Sequence, residues 1–153
     1  MSQQHKPVHE FLKRHPVGVL STASADGSPW GAAIFFYVDE DFNYYFVTRA
    51  NTHKYHNIQS NPKASITVAH GASQTTVQST GLITEVPAEE YMNIIFDKLA
   101  HVRLDSDNNW VPPIAKIHEG NFIPLKFTPT KLQYANYSAK TLDPRANYIQ
   151  QII

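Results

Sequence analysis

YYFVTRANTHKYHNIQSNPK, residues 44–63, changes its pattern halfway along. The first part, taken from Asn43 to Arg49, is aromatic and β-branched and reads as a strand. Asn51 and Thr52 then offer a helix cap, His53 to Ser60 reads as a short helix, and Asn61-Pro62 closes it. The strand therefore delivers Thr48 and Arg49 to a helix start, with Lys54 in the first turn. Uncapped amide groups at such a start attract anions. Arginine offers phosphate a bidentate fork, lysine a point charge and threonine a hydroxyl. A lysine in the first helical turn also opposes the helix dipole unless an anion joins it. On chemistry alone, an anion cradle and a pair of ordinary solvated side chains at Arg49 and Lys54 are equally good readings.

The flanks of this stretch are also mostly strand. Upstream, Val8 to His15 has Val8, Phe11 and Leu12 at helical spacing and stops at Pro16. Val17 to Ser24 reads as a strand, Ala25-Asp26-Gly27-Ser28 as a hairpin turn, and Trp30 to Asp39 as the returning strand. That second strand is apolar on both faces, which predicts burial on both sides. Downstream, Ala64 to His70 and Thr75 to Val86 read as strands, with Gly81 marking a bulge or sharp bend. Pro87 suits the first position of a helix carrying Tyr91, Ile94, Ile95, Leu99 and Val102 as one stripe. Arg103 to Gly120 reads as a long polar loop. Phe122 to Phe127 and Lys131 to Tyr137 read as two strands joined by Thr128-Pro129-Thr130, and the tail from Ser138 carries no clear pattern. Most connections are too short for parallel crossovers, so the sheet is expected to be antiparallel and closed on itself.

Composition narrows the function. A chain of 153 residues with 42% hydrophobic content fits a single domain over residues 1–153. Thirteen basic residues balance thirteen acidic ones, which leaves no surplus of cations for nucleic acid or an anionic membrane. Cysteine is absent, so thiolate metal sites and cysteine nucleophiles are excluded. No stretch approaches the ~20 apolar residues of a membrane span, and the N-terminus has no apolar run like a secretion signal, so a cytoplasmic location is expected.

The string Thr48, Thr52-His53-Lys54, Asn61-Pro62 resembles the corresponding segment of the pyridoxamine 5′-phosphate oxidase-like split barrels. The order of the surrounding features matches as well, from the first helix through the Asp-Gly turn to Thr80-Gly81, so the likeness covers roughly residues 8 to 137. It implies a mainly β (α+β) fold, a six- to seven-stranded antiparallel split β-barrel with two or three peripheral helices. It further implies a homodimer with FMN in two equivalent clefts at the interface, acting on a small molecule as an oxidoreductase. Arg49, Thr52 and Lys54 would then hold the phosphate, with Thr48 beside them. Ala33, Ile34, Phe35 and Phe36 would lie along the isoalloxazine, and Thr76 would present a polar side chain to it. Trp110 reads either as a ring-proximal residue from the partner subunit or as a core or interface aromatic.

Two departures argue against the oxidase itself and for its short relatives described as general stress proteins. Trp30 to Asp39 holds no lysine or arginine, and the C-terminal stretch offers Arg145 without a histidine. Deazaflavin or haem in the same cleft, or a barrel without catalysis, are the rival readings.

Other signals are weaker. His53 and His56 could share a helix face but lack a third metal ligand. His70 alternates with Ile66 and Val68 and reads as a hydrogen-bonded barrel residue. Asp105 to Asn109 lacks the glycine and glutamate of a calcium loop. Ser21 and Ser24 have no nucleophile-elbow context.

Overall fold

Phe36 is the one residue between two strands that lie at opposite ends of the sheet. The computed structural model describes residues 5–101, 121–138 and 147–153. In it β1 (Val17–Ala23) pairs with β2 (Pro29–Phe35), and β3 (Tyr37–Val38) pairs with β4 (Tyr44–Arg49). The other strands are β5 (Lys63–His70), β6 (Thr75–Glu85), β7 (Phe122–Asn136) and β8 (Ile149–Gln151). Their order is β2-β1-β5-β6-β7-β4-β3, every pairing antiparallel, with β8 alongside β7. Because β2 and β3 are consecutive in the chain, Phe36 ties the two ends of the sheet together and the sheet curls into a split barrel. Its amide donates to Pro16 O at 3.0 Å and its ring is fully buried.

The barrel interior follows from period-two alternation. Leu20, Ile34, Tyr44, Phe46, Ile66, Val68, Val77, Leu125, Phe127 and Leu132 point inward and are buried. Helix α1 (His5–Arg14) sets Val8, Phe11 and Leu12 against this core. Helix α2 (His53–Ser60) adds Ile58 from the opposite end, where Asn57 bonds Thr22. Inside, Tyr44 OH and Ser79 Oγ share a hydrogen bond of 3.0 Å. Burial holds the Tyr44 phenol's pKa above its ordinary value. Tyr44→Phe leaves Ser79 unpaired in the core. It is expected to cost about 1–2 kcal/mol and to lower Tm by roughly 2–8 °C in thermal denaturation.

Several sequence expectations need correction. Trp30 to Asp39 is not one strand buried on both faces. It breaks at Phe36, and β2 begins in solvent, with Trp30 46% exposed and Ala33 also exposed. Only the inward face of β2 meets the core, because nothing among the described residues covers the outer face of its first half. Phe122 to Tyr137 is not two strands but the single strand β7, which passes through Thr128-Pro129-Thr130 by skipping one residue opposite Thr80 and Gly81. A proline is tolerated there because a bulge already gives up a ladder bond. The unassigned tail contributes β8, making eight strands among the described residues.

Helix α3 (Ala88–Ala100) starts after Pro87, which caps it rather than opening it. Its stripe is narrower than expected. Ile95 and Leu99 are buried against Tyr45, with Phe35, Tyr37, Val47 and Tyr91 packed around them, whereas Ile94 is exposed. A lone helix on the convex outside of a barrel touches it along a narrow line, and Ile94 falls off that line. Val102, the polar loop and the acidic run Asp105 to Asn109 lie outside the described residues.

The hairpin turn forms as expected. Gly27 takes φ 87° and its amide donates to Ser24 O at 3.0 Å. Hydrogen bonds from the Ser24 hydroxyl, and then from Ser28, draw the Asp26 pKa down to about 2. No described helix is long and apolar enough to cross a membrane.

Candidate functional site at the strand–helix junction

Residues 50–52 carry the chain from the end of β4 into α2. Thr52 is extended, with φ −97° and ψ 148°, and its Oγ1 accepts the Tyr55 amide at 3.4 Å as the helix cap. The same hydroxyl donates to Arg49 O at 2.9 Å and lies 3.0 Å from Thr48 Oγ1. A hydroxyl has one proton, so with that of Thr52 on Arg49 O, Thr48 must be the donor to Thr52. In this arrangement both threonines brace the turn. The donors left facing outward are the amides of His53 and Lys54, which have no acceptor within the helix.

The two predicted cations differ in their surroundings. Lys54 is half-buried, and burial pushes its ammonium pKa below the ordinary value. The ion pairs among the described residues are Lys13–Glu10 at 3.9 Å and His101–Asp97 at 3.6 Å, so no described carboxylate pairs with Lys54. No acidic residue stands in the first turn of α2 either. Arg49 points outward with its guanidinium 5.5 Å from the centre of the Phe122 ring. Because the folded pKa of Lys54 is depressed, the charged side chain disfavours the fold below that pKa, and the penalty disappears above the unfolded value. An anion docked beside it would reverse the sign.

The other predicted residues are distributed unevenly. Ile34 and Phe36 are 3% and 0% exposed and point into the core, so neither side chain faces a ligand, and the Phe36 amide is taken by Pro16 O. Ala33 and Phe35 point outward, with Phe35 packed beneath α3. Among the described residues the edge of β2 away from β1 has no strand partner, and β2 contacts β4 and α2. Thr76 pairs with Ala135 on β7, whereas Thr48 pairs with Ile123. Those two β7 positions lie up to ~40 Å apart along the strand at ~3.3 Å per residue. The register thus sets Thr48 and Thr76 near opposite ends of β7. Trp110 lies outside the described residues.

Sequence reasoning missed two contacts. The Trp30 and His53 rings stand 4.6 Å apart at 37°, and Asn57 Nδ2 donates to Thr22 Oγ1 at 3.1 Å. Both join α2 to the β1–β2 hairpin. Neither carries a sequence signal, because they depend on which end of β2 lies beside α2. An open groove of about 600 Å³ passes alongside, between Ala23, Pro29, Asn61 and Leu82. Among the described residues no three histidine, aspartate or glutamate side chains converge as metal ligands. His70 is the expected barrel residue, its Nδ1 accepting the Ser73 amide at 3.3 Å and sharing a 2.9 Å bond with the Ser73 hydroxyl.

The sequence profile of the pyridoxamine 5′-phosphate oxidase family matches residues 5–118. Among solved structures, a pyridoxamine 5′-phosphate oxidase-related, FMN-binding protein from Nostoc punctiforme aligns at TM-score 0.65 and 13% identity. That alignment covers 100% of this chain and 98% of the other. General Stress Protein 26 from Bacillus anthracis aligns at TM-score 0.63 and 21% identity, over 87% of this chain and 94% of its own. The haem storage protein HutZ from Vibrio cholerae aligns at TM-score 0.65 and 14% identity, over 86% and 94%. At these identities the likeness is one of fold. None of the curated proteins matches the sequence.

Proposed function

The chain belongs to the pyridoxamine 5′-phosphate oxidase family, and from that premise we propose that it binds FMN and serves as a flavin-dependent oxidoreductase for a small molecule. The observation that carries this reading is the half-buried ammonium of Lys54, without a carboxylate partner among the described residues, at the amides that open α2. A dianionic phosphate monoester satisfies all of these groups at once. The residues present fit the cofactor. Lys54 and the amides of His53 and Lys54 hold the phosphate, Arg49 screens it from outside, and Thr48 and Thr52 keep the turn in shape. The edge of β2 turned away from β1 supplies backbone groups near Ala33 and Ile34 for a planar ring, with Phe35 and Phe36 following them along the same segment. Bound flavin supplies hydride or electron transfer, and the protein's part is to place it and exclude water.

The assembly we propose is a homodimer. The exposed apolar outer face around Val19 and Ala33 would be covered by a second copy, which would also bring a Thr76 and a Trp110 to each cleft. Its mass in light scattering should be twice that of the chain.

Purified protein tests the cofactor directly. Free FMN at about 100 times its Kd should stabilise the fold by about 2.7 kcal/mol, a rise in Tm of roughly 5–10 °C. A colourless protein whose Tm ignores FMN would reject the flavin reading, and a Soret band in its place would point to haem.

A further inference from the structure

We propose that the tilted ring pair Trp30 and His53 sets the length of cofactor that the cradle accepts, admitting a phosphate monoester and turning away flavins whose phosphate carries a further chain. The proposal rests on the flavin reading above and goes beyond it by assigning a specificity determinant. His53 is the first residue of α2, adjacent in sequence to Lys54, so it belongs to the helix start that would receive the phosphate. Trp30 covers that side chain at 4.6 Å. The indole remains 46% exposed, so core packing does not account for its place. The wall is held from two directions. Thr22 Oγ1 reaches Trp30 O at 3.5 Å, and Asn57 Nδ2 of α2 donates to the same Thr22 oxygen at 3.1 Å.

A terminal phosphate ends at the helix start and can be surrounded. The phosphate of FAD, or of a deazaflavin with its longer acidic tail, must continue past the helix start. The indole and imidazole stand across one side of that exit. Excluding a competitor by a placed obstruction is a recognised route to specificity, and it leaves affinity for the accepted ligand nearly untouched. The opposing possibility is that the open indole face stacks an adenine and so favours FAD.

The experiment measures Kd for FMN and for FAD in the wild type, Trp30→Ala, Trp30→Phe and His53→Ala. Circular dichroism verifies the fold of each variant. The wild type is expected to prefer FMN. Trp30→Ala should bind FAD at least about tenfold more tightly than the wild type while its FMN affinity moves less than about threefold. Trp30→Phe should fall between, and His53→Ala should shift the ratio in the same direction as Trp30→Ala. An FAD-to-FMN ratio unchanged in both alanine variants overturns the proposal and leaves the flavin reading standing. Weaker FAD binding by Trp30→Ala overturns it in favour of adenine stacking. A wild type that binds neither flavin removes both.

Discussion

Lys54→Ala is expected to weaken FMN binding by tenfold to a hundredfold and to leave riboflavin binding unchanged. A hydrogen bond to a charged group contributes about 1.5–3 kcal/mol, and each 1.4 kcal/mol is about tenfold in Kd. Riboflavin shares the ring system and lacks the phosphate, so it isolates the contact. The free protein should respond oppositely. Burial already disfavours the charged form of Lys54, and no carboxylate among the described residues pairs with it. The alanine variant should therefore be as stable as the wild type, or more so, in the absence of ligand. Weaker FMN binding together with an undiminished Tm is the signature of a residue placed for a ligand rather than for the fold. The pH dependence has a defined direction. The second ionisation of a phosphate monoester lies near pH 6, so wild-type affinity should fall as pH drops through ~6 while Lys54 stays charged. The fall should be smaller in the variant. Fluorescence titration with both ligands across that range measures it, and equal losses for FMN and riboflavin would take Lys54 away from the phosphate.

The parts of this site that were legible in the sequence are those made by neighbours in the chain. The helix from His53 to Ser60 forms with the bounds that its cap at Thr52 and stop at Asn61-Pro62 predict. The Asp26-Gly27 turn forms because only glycine adopts φ 87° at no cost. Ile66 and Val68 share one face of their strand by the same local alternation, and both are buried. What the sequence did not show depends on strand order. Trp30 looked like one more apolar residue of a buried strand, and only the sheet's closure through Phe36 puts it beside His53. Thr76 and Thr48 both occupy strands that flank β7, yet the register sets them near opposite ends of it. Periodicity cannot separate those arrangements, since every strand alternates in the same way wherever it lies. The continuity of β7 was missed for a related reason. Thr128-Pro129-Thr130 carries turn chemistry, and that chemistry is overridden by β6 pairing along the whole length.

Gly81→Ala is expected to destabilise the fold by about 3 kcal/mol, the upper end for overpacking a tight site. That corresponds to a Tm loss of roughly 6–12 °C for a domain of this size. A Cβ built on Gly81 would lie 2.1 Å from Thr128 O and 2.8 Å from Pro129 Cα, both backbone atoms, so no side chain can swing aside. Relief requires moving β7 away from β6 where the register already shifts and where Thr130 Oγ1 donates to Thr80 O at 3.1 Å. Gly27→Ala provides the contrast. Nothing lies within 4 Å of its added Cβ, but its φ of 87° is left-handed. Its cost is conformational, about 1–2 kcal/mol, and it falls on an exposed turn. The two variants therefore separate space from conformation. Chemical denaturation of both, with m-values compared, measures the difference. A Gly81→Ala variant no less stable than Gly27→Ala would mean that β7 is free to slide past Gly81. The bulge would then be an accommodation and not the corner that bends the barrel toward its cradle.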